Sequence, residues 1–153
     1  MQPGQEEPLT QFKHDFVMLV DDDETVNFIN LTLLEKQKFA RKILVYSNHV
    51  EAFSHIERAA NERDYSAIPD LLFLDLTMPV LSGHEFIDKF DTLPLLVQKR
   101  CSIIILSSYI SAFKIRPLVN AHPYIAGTYS KPLMPSNLHS IEQDIERVAT
   151  WGA

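Results

Sequence analysis

The segment FVMLVDDDETV, residues 16–26, decides the fold. Its first five residues are apolar with no polar residue between them, which is typical of a strand that is buried on both faces of a parallel sheet. Three aspartates and a glutamate follow directly, with no basic residue among them. Because like charges this close repel each other, the acidic residues call for a specific chemical role.

Four further segments continue the apolar pattern of residues 16–20. They are ILVY at 43–46, LLFL at 71–74, IIIL at 103–106 and the weaker IAGTY at 125–129. Helical patterns lie between them, so the order along the chain is strand and helix in alternation. With right-handed crossovers, this order predicts an α/β fold of the (βα)5 type, a doubly wound five-stranded parallel sheet in a three-layer sandwich.

The helical segments carry apolar stripes and stop signals. In the first helix, the spacing predicts a buried face formed by Val26, Ile29, Leu33 and Leu34. Pro94 is expected to end or kink the third helix, because proline has no N–H to donate.

Bulk composition limits the classes of function. The chain has 153 residues, the size of one domain, and we expect a loose N-terminal arm at 1–13 and a single domain at 14–153. A net charge of -6 argues against nucleic-acid binding, which needs a basic surface. The single cysteine, the polar N-terminus and the lack of an apolar run near about 20 residues favour a cytoplasmic protein without a membrane segment.

Polar side chains follow four of the five predicted strands. Asp21 and Asp22 follow the first strand, Asp75 the third, Ser107 the fourth and Lys131 the fifth. Ligands of doubly wound sheets bind at the carboxyl ends of the strands, so these side chains should meet at one edge. Clustered carboxylates suit Mg²⁺, lysine and hydroxyl groups suit phosphoryl oxygens, and a carboxylate can itself be the nucleophile.

Structural roles explain part of the acidic cluster. Asp23 and Glu24 stand where the first helix begins, and acidic residues there cap the helix and favour its dipole. Ser107 or Lys131 alone would be an ordinary turn residue or a solvated lysine. The pattern becomes specific because all these groups occur in order at the strand ends.

The chain resembles the receiver domain of two-component response regulators, the CheY-like superfamily, over about residues 14–150. The resemblance rests on VDDD at 20–23, LDLTMPVLSG at 74–83, LSS at 106–108 and KP at 131–132. It implies the flavodoxin-like form of the predicted sheet. It also implies a cis peptide bond before Pro132.

The resemblance assigns roles to the candidate site residues. It implies that Asp75 is the phosphorylated aspartate, with Ser107 as the switch hydroxyl and Lys131 as the phosphate partner. It further implies a Mg²⁺ site. The metal ligands would be Asp21, Asp22, Asp75 and the backbone carbonyl of Thr77, with Asp21 acting through water or tuning the site.

The function implied is that of a phosphoacceptor. A sensor histidine kinase or a histidine phosphotransfer protein would donate the phosphoryl group, and the domain, apparently stand-alone, would signal to a downstream protein by protein–protein contacts. Such a domain assists its own phosphorylation and dephosphorylation, so we do not expect an enzyme in the usual sense.

Three positions depart from the family pattern. Thr128 stands where many receivers carry an aromatic switch residue, and its neighbour Tyr129 should face the opposite side of the sheet. Pro117 lies in the helix after the fourth strand, which should be kinked or begin near Arg116. Tyr109 could overhang the phosphoryl group, which predicts slow autodephosphorylation.

Other functions use similar residues. A binding module could retain the receiver fold and act without phosphorylation. A relay receiver would pass its phosphoryl group on to a histidine domain. A phosphatase of the haloacid dehalogenase type shares the aspartate nucleophile and Mg²⁺, but it carries a second aspartate where this chain has Thr77.

Overall fold

A single parallel sheet forms the centre of the molecule. The structure is a computed structural model that describes residues 12–76, 83–108, 112–149 and 151. Its strands are β1 (His14–Val20), β2 (Ala40–Tyr46), β3 (Leu71–Asp75), β4 (Ser102–Ser107) and β5 (Ile125–Ser130). They are all parallel and lie in the order β2-β1-β3-β4-β5. The predicted doubly wound sheet is confirmed, and the arm predicted at 1–13 lies mostly outside the described residues.

Six α-helices connect and cover the strands in the described parts of the chain. They are α1 (Glu24–Lys36), α2 (His49–Asn61), α3 (Gly83–Phe90), α4 (Leu95–Arg100), α5 (Ala112–Ala121) and α6 (Pro135–Val148). In the same described ranges, no helix is long and apolar enough to cross a membrane.

Prolines account for two differences from the predicted helices. The predicted alternation contains one helix fewer, since the short helix α4 was not predicted. Pro94 does not end or kink α3, which already ends at Phe90, but is the N-cap residue of α4. Of the two alternatives predicted for the helix with Pro117, a start near Arg116 is wrong, since α5 begins at Ala112 and contains Pro117 in its interior. A kink at this proline stays a prediction.

Each strand contributes side chains to two apolar cores, one on either face of the sheet. In β1, Met18 and Val20 pack in the larger core, whereas Val17 and Leu19 pack in the smaller one. This alternation follows from the two-residue period of a strand. The continuous apolar runs are therefore explained by helices on both faces, as a three-layer sandwich requires.

The buried face of α1 differs from the predicted stripe. Its buried side chains are Asn27, Asn30 and Leu34, while Ile29 is 41% exposed. The stripe prediction was therefore wrong except at its C-terminal end. The two amides face inward because they hydrogen-bond to backbone in the loops at the carboxyl edge of the sheet. The periodicity of apolar residues cannot predict such bonds.

The start of α1 agrees with the cap predicted from the sequence. The carboxylate of Asp23 accepts hydrogen bonds from the backbone N–H groups of Thr25 at 2.9 Å and Val26 at 3.2 Å, so Asp23 is the N-cap of α1. Glu24 is the first helical residue. Both residues thus act at the helix start, as predicted, where carboxylates satisfy unpaired N–H groups.

Candidate functional site

The register of the central strands brings two carboxylates together. Val20 of β1 pairs with Leu74 of β3. The next residues along the two strands are Asp21 and Asp75, so both side chains stand at the carboxyl edge of the sheet. Asp21 is 3% exposed and Asp75 is 1% exposed.

The strands on the other side of β3 add a hydroxyl and an ammonium group to this edge. Ser107 at the end of β4 pairs with Ser130 of β5. The next residue, Lys131, donates its backbone N–H to the carbonyl oxygen of Ser107 at 3.0 Å. The Ser107 residue is buried. The peptide bond between Lys131 and Pro132 is cis, as predicted.

Lys131 joins the two buried carboxylates. Its Nζ lies 3.1 Å from Oδ2 of Asp21 and 3.1 Å from Oδ2 of Asp75. The lysine side chain is itself only 8% exposed. A buried charge is tolerated when it is paired and hydrogen-bonded, so the ammonium group stabilises two acids that would otherwise repel each other.

The acidic cluster fits a hard divalent cation. Asp21, Asp22 and Asp75 each offer a carboxylate oxygen, and these oxygens lie within 4.8 Å of one another. Asp22 is exposed and gives access from solvent. Mg²⁺ prefers oxygen ligands, and these three carboxylates supply them. Thr77, the fourth predicted ligand, lies outside the described residues.

The pKa values follow from burial and pairing. Burial raises the pKa of Asp21 to about 6, and the charge of Asp75 adds to this, while the N–H of Asp23 and the ammonium of Lys131 oppose it. Burial would lower the pKa of Lys131, but its two carboxylate partners outweigh burial and raise it.

Three backbone-directed hydrogen bonds hold the site loops. The N–H of Asp23 donates to Oδ1 of Asp21 at 2.9 Å. The amide of Asn27 donates to the Asp21 carbonyl at 2.7 Å, and the Asn30 amide oxygen accepts from the N–H of Leu133 at 2.9 Å. Neither asparagine was predicted from the sequence to belong to the site. Their spacing could have placed them on the buried face of the first helix, because Asn27, Asn30 and Leu34 stand at i, i+3 and i+7.

Gly83 packs against the backbone that follows the candidate phosphoacceptor. A Cβ atom on Gly83 would lie 2.8 Å from Cα of Leu76 and 2.9 Å from the carbonyl oxygen of Asp75. Real Cβ atoms do not approach backbone this closely, so only glycine fits at the start of α3. Gly83 therefore allows the close approach of α3 to the end of β3.

Tyr129 faces away from the side where Thr128 lies. Its hydroxyl donates to Oδ2 of Asp144 in α6 at 2.5 Å, and its ring packs in the smaller core. Thr128 instead pairs with Ile105 of β4, whose side chain packs in the larger core on the other face of the sheet. The prediction that Tyr129 cannot take the place of the usual aromatic switch is consistent with this packing, while Tyr109 lies outside the described residues.

Comparison with known proteins agrees with this geometry. A family model described as the response regulator receiver domain matches residues 17–142. Curated proteins gave no match.

Solved structures give the same fold. A two-component response regulator from Cytophaga hutchinsonii is 24% identical with a TM-score of 0.75, covering 88% of this chain and 98% of its own. A response regulator receiver protein from Dyadobacter fermentans is 26% identical with a TM-score of 0.70, covering 87% and 96%. A CheY-like receiver domain protein from Methanospirillum hungatei is 19% identical with a TM-score of 0.68, covering 91% and 99%.

Proposed function

The chain belongs to the response regulator receiver domain family, and on this premise we propose that it accepts a phosphoryl group on Asp75. The donor is a phosphohistidine of a sensor histidine kinase or of a histidine phosphotransfer protein. The observation that carries the proposal is the contact of one buried lysine, Lys131, with Asp21 and Asp75 at the carboxyl edge of the sheet.

The transfer is an in-line displacement at phosphorus. A carboxylate oxygen of Asp75 forms the new O–P bond while the N–P bond of the donor breaks, and the donor nitrogen keeps the electron pair. Lys131 Nζ, 3.1 Å from Asp75, then faces phosphoryl oxygens and stabilises their negative charge. Because Asp75 is 1% exposed, the reaction takes place where water competes poorly for these hydrogen bonds.

Asp21, Asp22 and Asp75 are the residues that would hold Mg²⁺. When bound, this ion would neutralise charge on the phosphoryl oxygens and on the clustered acids. Asp22 is exposed, whereas Asp21 and Asp75 are buried. This arrangement would let the ion enter the acidic pocket from solvent past Asp22.

Ser107 serves as the hydroxyl that responds to the phosphoryl group. It ends β4 next to Lys131 and precedes the segment that leads into α5. A small movement of this strand end would bias α5 between two arrangements, which is how a local charge change becomes a signal. We assign the domain a signalling role in the cytoplasm through protein contacts, and no turnover of an external substrate.

Labelling with a small acyl-phosphate donor tests the proposal. The protein is incubated with the donor and Mg²⁺, and its intact mass is measured over time. We expect the mass of one phosphoryl group to be added, and we expect EDTA to prevent it. Asp75→Asn should take no label under the same conditions.

The controls separate this function from its alternatives. Labelling of Asp75→Asn at the wild-type rate would contradict the assignment of the phosphoacceptor. Absence of labelling from both small donors and histidine kinases would favour a binding module that acts without phosphorylation. Sustained turnover of a generic phosphoester would favour a phosphatase.

A further inference from the structure

The buried face of α1 is unusually polar where it approaches the site. Only three of its side chains are buried, and two of them are the amides of Asn27 and Asn30. They are 5% and 1% exposed. An amide is costlier to bury than an apolar side chain unless its polar groups find partners, so these two positions require a reason beyond packing on the sheet.

Asn27 holds the loop that carries the first two acids. Its Nδ2 donates to the carbonyl oxygen of Asp21 at 2.7 Å. Its Oδ1 is buried and, within the described residues, has no hydrogen-bond partner. The unpaired buried oxygen is unfavourable, and the hydrogen bond to the Asp21 backbone is the interaction that offsets it.

Asn30 holds the loop that carries the lysine. Its Oδ1 accepts the backbone N–H of Leu133 at 2.9 Å. Leu133 follows Lys131 by two residues and is buried in the smaller core. The hydrogen bond therefore fixes the chain directly after the Lys131–Pro132 peptide.

The two amides lie one above the other on a single helix. Residues three apart share a face of an α-helix, so α1 acts as a rigid spacer between the loop after β1 and the loop after β5. These loops supply Asp21 and Lys131, whose charged atoms meet at 3.1 Å.

We propose that Asn27 and Asn30 are positioning residues that fix the separation of these two loops and thereby set the affinity of the acidic pocket for a divalent cation. The inference rests on the proposed function, since it concerns the same site. Neither amide needs to touch the cation or the phosphoryl group. Each acts through the backbone of a loop that carries a charged residue of the site.

Single alanine substitutions of the two amides test the proposal. The Mg²⁺ dissociation constant of Asn27→Ala and Asn30→Ala is measured by calorimetry at a temperature where circular dichroism shows each variant folded. Loss of a group that orients metal ligands typically weakens metal binding by about tenfold or more, and we expect this for both variants. The initial rate of acyl-phosphate labelling should fall with it.

Leu34 provides the matched control. It is buried on the same face of α1, one turn beyond Asn30, and it packs in the smaller core without a hydrogen bond to either loop. Leu34→Ala should lower the melting temperature and leave the Mg²⁺ dissociation constant at the wild-type value. This split between stability and affinity separates positioning from general loosening of the helix.

If Asn27→Ala does not fold, a second variant tests the same role. Asn27→Leu fills a similar volume with an apolar side chain and removes the unpaired oxygen. We expect it to be folded and to bind Mg²⁺ as weakly as the alanine variant. Wild-type affinity in this variant would overturn the role of Asn27.

The remaining outcomes separate the two proposals. Wild-type protein that binds Mg²⁺ and takes the label, together with unchanged affinity in the asparagine variants, contradicts only the positioning role. An equal loss of affinity in Leu34→Ala contradicts it as well. Wild-type protein that neither binds Mg²⁺ nor takes the label contradicts the proposed function, and the positioning role falls with it.

Discussion

At the scale of single residues, Lys131 decides whether the acidic pocket is tolerated in the folded protein. It contacts two carboxylates that are almost completely buried, and burial already raises the pKa of Asp21 to about 6. Removing one member of a buried charged cluster leaves its partners without compensation. Lys131 therefore supports both the fold and the proposed chemistry.

Replacing Lys131 by methionine should lower the free energy of unfolding by about 3 kcal/mol at pH 7 without Mg²⁺, because Asp21 and Asp75 lose their cation. Urea unfolding measures this change. Lys89→Met is the matched control, since the Lys89–Glu85 pair is exposed and spans 3.9 Å, and its loss should change stability by less than about 1 kcal/mol. Equal midpoints for the two variants would show that Lys131 does not stabilise the pocket.

Tyr129 gives a second prediction at this scale. Tyr129→Phe removes the hydrogen bond to Asp144 and keeps the packed ring, so stability should fall by about 1 to 2 kcal/mol. Because this side chain faces α6, the rate of acyl-phosphate labelling should stay at the wild-type value. A large change in labelling rate, measured by intact mass, would assign Tyr129 to the switch after all.

At the scale of elements, the closeness of α3 to β3 depends on Gly83. Gly83→Ala would force a Cβ against the backbone of Asp75 and Leu76. Over-packing of this kind costs about 1 to 3 kcal/mol and would displace Asp75. We expect a lower melting temperature and slower labelling together.

Gly127→Ala is the matched control for Gly83→Ala. Its Cβ would meet the side chain of Asp144, at 2.5 Å from Oδ2, and no backbone atom is among its nearest contacts. The Asp144 carboxylate can move aside at the cost of its hydrogen bond with the Tyr129 hydroxyl, so we expect a loss of stability of about 1 to 2 kcal/mol and labelling at the wild-type rate. If both variants label equally slowly, the close contact of α3 with β3 is not what positions Asp75.

His14 ties three elements together at the opposite edge of the sheet. Its Nδ1 lies 2.6 Å from Asp70, which precedes β3, and its Nε2 contacts Glu142 of α6. Burial would lower the pKa of His14, but the two carboxylates outweigh it and raise the pKa to about 9. The imidazolium form therefore links β1, β3 and α6 at neutral pH.

This pairing makes stability depend on pH. The folded pKa of about 9 exceeds the ordinary value of 6.5, so the contribution is complete below about pH 6.5 and is lost as the pH rises through 9. The difference in unfolding free energy between wild type and His14→Gln should be about 3 kcal/mol at pH 6 and close to zero at pH 10. Urea titrations at both pH values check this, and a difference independent of pH would contradict it.

At the scale of the whole molecule, the sequence predicts the strands of the sheet and the residues at their carboxyl ends, because both follow from the burial of the strands. Four continuous apolar runs and the weaker segment at 125–129 predicted the strands. The polar residues after them pointed to Asp21, Asp75 and Lys131, because parallel strands present their carboxyl ends at one edge. These features are local in sequence. They required no knowledge of how the helices are rotated.

What the sequence did not reveal depends on contacts between distant segments. The inward rotation of α1 follows from hydrogen bonds between its amides and loop backbone, one of them 103 residues away. Hydrogen bonds to distant backbone produce no periodic pattern in the sequence. An asparagine within a helix is therefore predicted to lie on the surface. The extra helix α4 likewise depends on tertiary packing, since its Val97 is buried in the larger core.

The central claim is that Asp75 accepts the phosphoryl group, and chemical trapping tests it most directly. After labelling with an acyl-phosphate donor and Mg²⁺, borohydride reduces an aspartyl-phosphate to homoserine, and peptide mass spectrometry locates the change. We expect homoserine at position 75, only when both donor and Mg²⁺ are present. Trapping at Asp21 or Asp22 instead, or a label that remains in Asp75→Asn, would contradict the account.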